Sequence, residues 1–319
     1  MSQDGLNRRN FLKSAAAGAV AAAVGEFGSL ARAAELAGPM PTRALGSTGL
    51  KVSAITLGGY HATLPEDPAD CARLMHRAID LGINFFDNAD CYHEGAGEEK
   101  MGRALAEGGR RKKVFLMTKV DQRDAQGSRE QLEKSLRRLQ TDYLDLWQFH
   151  AVSRREDLDK IFGPGGAMET AQKAKEEGKI RFIGVTGHLD PSVHLAFIRH
   201  FDFDTVQMPV NVVDPHYESF RINVLDEAVR RNVGVIAMKT LAFGNILSKG
   251  VAKAAEALPW VWSQPVSTIC SGCDTIERLE YNVYLCKTFR PMPEAEQRAL
   301  LQRTKPFAGT DIEVYKTWT

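Results

Sequence analysis

VFLMTKVDQRDAQGSREQLEKSLRRLQTDYLDLWQFH, residues 114–150, holds two short apolar runs with an amphipathic stretch between them. The runs at 114–120 and 143–150 have the length and apolar density of buried strands. Between them a helix is predicted to open at Ser128, with Gln131 three residues on in a capping-box pattern. Each run ends near a polar residue of catalytic type, Lys119 in the first and His150 in the second. Strand, helix, strand in that order is the unit from which parallel sheets are built.

The same alternation continues in both directions. Upstream, residues 42–52 read as a hairpin with glycines at its turn, and 53–57 as a first core strand. Asp67-Pro68 opens a helix, a capping residue before proline at the first helical position, and Cys71, Leu74, Met75, Ala78 and Ile79 form its apolar face. A strand at 84–88 and a helix at 98–106 follow. Downstream of His150, strands are predicted at 180–186, 205–208, 234–239 and 267–271. Helices are predicted at 167–177, 191–200, 223–232, 251–263 and 275–286, and one more at 293–304. Residues 151–166, rich in charge and ending Gly163-Pro164-Gly165-Gly166, read as a mobile loop. Eight strands alternating with eight helices predict an α/β fold, a (β/α)8 TIM barrel over 42–319 with an N-terminal β-hairpin and an extra C-terminal helix. A doubly wound sheet would normally announce G-x-G-x-x-G after its first strand, where this chain has only Gly58-Gly59-Tyr60.

Composition agrees with an ordinary globular chain that has a core to bury. The chain has 319 residues, 44% hydrophobic and 25% charged, with a net charge of +1 and no basic stripe, so no nucleic-acid partner is expected. The front is different. Asn7-Arg8-Arg9-Asn10-Phe11-Leu12-Lys13 precedes a run of small apolar residues that stops well short of the about 20 a spanning helix needs. Ala31-Arg32-Ala33 fits an A-x-A cut site. The pattern resembles a twin-arginine signal, which implies export by the twin-arginine machinery, already folded, to the bacterial periplasm. Residues 1–33 are therefore expected to be the signal and 34–41 a linker, with no membrane span in the mature chain. Of the five cysteines, Cys270 and Cys273 have C-x-x-C spacing, open to a structural, disulfide or metal reading. No second ligand pair stands near them, and no metal is expected.

In a barrel of this kind the C-terminal strand ends carry function. Asp87, Lys119 and His150 fall there on three successive strands, one β/α unit apart, at equivalent heights, with Tyr92 on the loop above. The set suits carbonyl reduction. Hydride arriving at carbon leaves charge on oxygen, and a proton donor must stand beside it. Tyrosine is a weak acid, with pKa about 10. A neighbouring ammonium, Lys119, is expected to lower that value, with Asp87 holding the ammonium in place. His150 is expected to hydrogen-bond the carbonyl oxygen.

Residues 43–53, Asp87-Asn88-Ala89-Asp90-Cys91-Tyr92 and the strand 178–185 together resemble the aldo-keto reductase family, over essentially all of 42–319. The resemblance implies a tetrad of Asp87, Tyr92, Lys119 and His150, with Tyr92 as acid, and a nicotinamide dinucleotide cofactor, NADPH with NADH as the alternative. It implies Gln207 and Thr186 at the carboxamide, Gly59, Tyr60 and Met238 about the nicotinamide, and Lys239, Leu241 and Gly244 along the pyrophosphate. Gly272, Arg278 and Asn282 fall at the adenosine end. Three departures stand out. Gly187 replaces the usual asparagine, Met238 replaces a stacking aromatic, and Asp274 lies where it would repel a 2′-phosphate. The expected function is reduction of a small aldehyde or ketone to an alcohol. The alternative is a non-catalytic cofactor-binding sensor acting through a partner. Reduced nicotinamide is scarce outside the cytoplasm, so turnover there needs a source of hydride.

Overall fold

Eight short parallel strands close on themselves in chain order, the last pairing back with the first. The structure is a computed structural model and describes residues 27–318. The arginine pair of the signal lies outside the described residues. The barrel strands are β3 (Ile55–Gly58), β4 (Phe85–Asp87), β5 (Phe115–Val120), β6 (Leu144–Phe149), β7 (Ile180–Thr186), β8 (Thr205–Pro209), β9 (Gly234–Met238) and β10 (Thr268–Ser271). They are buried almost throughout, as strands covered on both faces must be. Before them, β1 (Thr42–Ala44) and β2 (Lys51–Ser53) form the expected antiparallel hairpin, which closes the floor of the barrel with Leu45 and Val52 against Phe85, Phe115, Leu146 and Ile236.

Helices α1 (Phe27–Leu36), α2 (Pro68–Asp80), α3 (Ala96–Ala106), α4 (Ala125–Arg138), α5 (Arg155–Phe162), α6 (Ala167–Glu176), α7 (Pro191–His200), α8 (Asp226–Arg230), α9 (Ala254–Trp262), α10 (Ile276–Thr288) and α11 (Glu294–Thr304) surround the strands. Asp67 caps α2 through a hydrogen bond from Ala69 N (2.8 Å), and Asp190 caps α7 in the same way from Ser192 N (2.7 Å). Among the described residues no helix is long and apolar enough to cross a membrane.

Two local expectations are corrected. Helix α4 opens three residues earlier than predicted, capped by Asp124, whose carboxylate accepts from Gly127 N at 2.7 Å. Ser128 is buried inside it, and Gln131 turns outward from the helix to accept from Asp121 N and Gln122 N. The segment read as a mobile loop contains α5, which offers Ile161 to the core, with Leu158 and Phe162 packed against it. The stretch 34–41 begins inside helix α1. In α1, Ala34 is fully buried against the core, its carbonyl accepts from Lys287 on α10 at 3.0 Å, and Glu35 pairs with Arg77 on α2 at 2.8 Å. The expected cut after Ala33 thus falls within this helix.

Candidate active site

Strand register brings the predicted residues to one mouth. Asp87 ends β4 and pairs with Met117, Lys119 lies two residues further along β5, level with Gln148, and His150 lies two residues beyond Gln148. The three are therefore staggered, not level. Each step is even, which keeps every side chain on the inward face of a tilted strand. Lys119 is 1% exposed. Its ammonium donates to the Asp87 carboxylate, to Asn88 O at 2.5 Å and to the Tyr92 hydroxyl at 3.2 Å. Burial works against its charge, but Asp87 and then Tyr92 outweigh burial and hold it firmly cationic.

Tyr92 behaves differently from the expectation. Desolvation in the mouth raises its pKa, and Lys119, acting in the predicted direction, offsets only part of that rise. The loop that carries it is held from below. Asp90 takes hydrogen bonds from Arg138 (2.6 Å) and Gln131 (2.8 Å), and fully buried Glu98 accepts from Thr118 at 2.6 Å. His93, at φ 52°, stacks on Tyr60 and meets its carbonyl at 2.8 Å. Tyr60 in turn sets its ring edge-on to Tyr92, centroids 5.4 Å apart.

A second layer supports Asp87. Cys270 of β10 donates its thiol to Asp87 Oδ2 at 2.9 Å, and Gln207 of β8 donates to the same oxygen at 3.1 Å. Gln148 completes the chain by donating to Gln207 Oε1 at 2.9 Å. Cys270, open to a structural, disulfide or metal reading in the sequence, thus supports the predicted tetrad, and no two of the five cysteines form a disulfide. Both ends of the Gln207 amide are engaged inside the barrel. No sequence signal tied Cys270 or Gln148 to this network, because their partners are set by barrel closure.

His150 has a partner that the sequence reading missed. Its Nδ1 lies 2.8 Å from Asp121 Oδ1, on the loop after β5. Burial lowers the pKa of His150 against the raising effect of Asp121, so the ring is neutral at pH 7. Asp121 stays ionised, since His150 and Arg123 outweigh the effect of its burial. An ionised carboxylate only accepts, so the neutral ring carries its proton on Nδ1 and leaves Nε2 a lone pair.

The remaining predicted residues line one side of the mouth. Thr186 and Met238, both buried, approach each other at the ends of β7 and β9. Gly187 has no room for a side chain: a Cβ there would lie 2.3 Å from Val152 O and 2.7 Å from His194 Cε1. The missing asparagine is thus built into the packing. A Cβ on Gly59 would meet Asp87 O at 2.2 Å. Lys239 stands 3.7 Å over the Phe243 ring, with Tyr315 and Trp318 also about it. Along the loop 239–244, Lys239, Ala242, Phe243 and Gly244 have positive φ, and Leu241 packs against the core. Space beside Gly244 is open. Arg278 is gripped by Asp274 at 2.7 and 3.0 Å, and Asn282 turns inward to Ser271 at 2.9 Å.

His61 enters this region unforeseen. A Cβ on Gly272 would fall 2.4 Å from its Nδ1. Burial first, then Lys239, lowers its pKa to about 4, so it is neutral at pH 7. Trp147 is core packing, whereas Trp318 lies beside Phe243 and His188. Lys239 and Arg278, the latter shared with Asp274, supply positive charge in this region, and the backbone at Gly244 is open. That donor set fits an anionic dinucleotide.

The model of the Aldo/keto reductase family matches residues 54–257, and a model of the twin-arginine translocation pathway signal sequence matches residues 5–25. The chain is 26% identical over 313 residues to the uncharacterized oxidoreductase YqkF of Bacillus subtilis, covering 83% of this chain and 97% of that protein. Among solved structures it resembles the aldo-keto reductase AKR11C1 from Bacillus halodurans in its holo form, with a TM-score of 0.73 and 24% identity, covering 86% of this chain and 99% of that one. It also resembles an aldo-keto reductase from Klebsiella pneumoniae in complex with NADPH, with a TM-score of 0.69 and 24% identity over 82% and 95% of the two chains. Both structural likenesses concern the fold.

Proposed function

The chain belongs to the aldo/keto reductase family and is an oxidoreductase, and from that premise we propose that it reduces an aldehyde or ketone to the alcohol with a bound nicotinamide dinucleotide. The observation that carries the reading is the contact of Tyr92 with a buried, cationic Lys119 that is itself fixed by Asp87. When bound, the nicotinamide supplies the hydride. As charge develops on the substrate oxygen, the Tyr92 proton passes to it, and the Lys119 ammonium stabilises the phenolate left behind. Asp87 keeps Lys119 in place, with Cys270 and Gln207 holding the carboxylate. His150, with its lone pair on Nε2, is placed to accept from the hydroxyl that forms. In this reading His150 accepts from the product hydroxyl, where the sequence alone had it hydrogen-bonding the carbonyl oxygen.

Lys239, Leu241 and Gly244 would lie along the dinucleotide, with Thr186 and Met238 at its nicotinamide end and Arg278 at its adenosine end. The Klebsiella protein was solved with NADPH, and we take NADPH as the cofactor here. Asp274 opposes that choice, since its pairing with Arg278 must open to admit a 2′-phosphate. The matched signal directs export by the twin-arginine machinery, and we place the folded enzyme in the periplasm, acting on a small carbonyl compound.

The test is a titration of the purified chain with NADPH and NADH, followed by tryptophan fluorescence, with Tyr92→Phe assayed beside it on simple aldehydes. Binding with turnover that the variant loses supports the reading. Binding without turnover in the parent chain would move the assignment to a cofactor-sensing barrel.

A further inference from the structure

Three loops that follow successive barrel strands bring a thiol, a carboxylate and an imidazole to one point beside the mouth. Cys91 comes from the loop after β4, Asp121 from the loop after β5, and His150 from the end of β6. His150 Nδ1 is 2.8 Å from Asp121 Oδ1 and 3.6 Å from Cys91 Sγ, and the three donor atoms all lie within 4.8 Å of one another. Among the described residues no other group of three His, Cys, Asp or Glu side chains brings its donors so close.

We propose that Cys91, Asp121 and His150 form a binding site for a zinc-class divalent cation, with a fourth position open to the mouth. The donor types are those that borderline-soft cations select, one thiolate, one imidazole and one carboxylate. Zinc bonds of about 2.0–2.3 Å put tetrahedral ligand atoms roughly 3.5 Å apart. The thiol–imidazole separation already matches, and the other two need only small side-chain turns. The loops are anchored independently of any cation. Gln131 fixes the backbone at Asp121, Asp90 and its partners fix the Cys91 loop, and Arg123 donates to His150 O at 2.6 Å. Two cations lie close by, and both are occupied, Lys119 by Asp87 and Arg123 by Asp157 at 3.0 Å. Binding displaces the Cys91 thiol proton to solvent and creates one metal–sulfur bond.

The site would also reverse the histidine. Bonded to a cation at Nδ1, His150 must carry its proton on Nε2, which makes it a donor toward the mouth instead of an acceptor. That consequence rests on the reductase reading, whereas the binding itself does not.

The experiment is a cobalt(II) titration of the chelator-treated, purified chain, followed by absorption, then displacement by zinc(II). The expected result is one equivalent of cobalt, a thiolate-to-cobalt charge-transfer band in the near ultraviolet, and loss of that band with weakened zinc binding in Cys91→Ser. Cys91 is exposed, so the variant is expected to fold. The proposal is overturned if the parent chain gives no charge-transfer band, or if the band survives in Cys91→Ser. Neither readout involves cofactor or turnover, so failure here leaves the reductase assignment standing.

Discussion

Two clusters in this barrel use the same three side-chain types and do opposite things. In the mouth, Lys119 joins Asp87 and Tyr92. In the C-terminal tail, Lys316 joins Glu313 (2.7 Å), Asp214 (3.3 Å) and the Tyr217 carbonyl (2.5 Å), with Tyr315 alongside. The difference lies in what happens to the phenol. Tyr315 OH donates to Glu313 Oε1 at 2.5 Å and accepts from Asn211 at 2.8 Å, so its proton is committed to a carboxylate. Tyr92 receives from Lys119, and no carboxylate among the described residues takes its proton. A buried lysine, acid and tyrosine make an anchor when the set is closed, and a proton donor when one member is left unfinished.

The sharpest way to break that comparison is to remove each phenol in turn. Tyr92→Phe is expected to lower kcat by about 10²–10⁴-fold with cofactor binding retained. Tyr315→Phe is expected to reduce stability while leaving kcat per folded molecule within a few-fold. Steady-state kinetics on active-site-titrated protein separates the two, and comparable losses of kcat would erase the distinction.

Next in size is the tail lysine. Lys316→Met strands two buried carboxylates, a change that costs about 3–5 kcal/mol in comparable sites. Urea unfolding should show a lowered midpoint, and an unchanged midpoint would mean that the tail does not hold the barrel.

Acidity probes the same cluster more gently. Burial raises the Asp214 pKa from 3.8 to about 6, partly offset by Lys316. A carboxyl raised on folding holds a proton in the folded state that the unfolded chain has shed, so stability from this group rises as pH falls from about 6 towards 4. Measured as a difference from Asp214→Asn, that gain should be on the order of 2–3 kcal/mol. A flat difference across the window contradicts it.

The smallest effect tests the layer beneath the mouth. Cys270→Ala removes one donor to Asp87 and should lower kcat roughly tenfold, from a charge-assisted hydrogen bond of about 1.5 kcal/mol. Cys270→Ser keeps a donor and should recover most of it. Equal losses in the two variants would make Cys270 a packing residue only.

The barrel was legible because its signals are local: apolar runs, helical faces and caps such as Asp67 report on a few neighbours at a time. Local signals also explain the errors. Gly127 hid the first turn of α4, and Gly163-Pro164-Gly165-Gly166 made the segment before it look like a loop although α5 lies within. The site stood out because Asp87, Lys119 and His150 recur once per β/α unit, with Tyr92 on the loop above. What surrounds it did not. Asp121 with His150, Cys270 with Asp87, and Glu313 with Asn211 are pairs that exist only when the barrel closes, the last of them joining residues 102 positions apart.

Helix α1 has a consequence for the life history of the chain. A peptidase must draw its target bond into an extended form, and the bond after Ala33 is instead wound into a helix whose next residue is sealed under α10 and whose carbonyl is held by Lys287. Cleavage there requires the helix to lift off and unwind first, an excursion that its docking contacts suppress. Trimming at that bond would therefore wait on the barrel itself, and its rate would be a clock for how firmly the first helix holds.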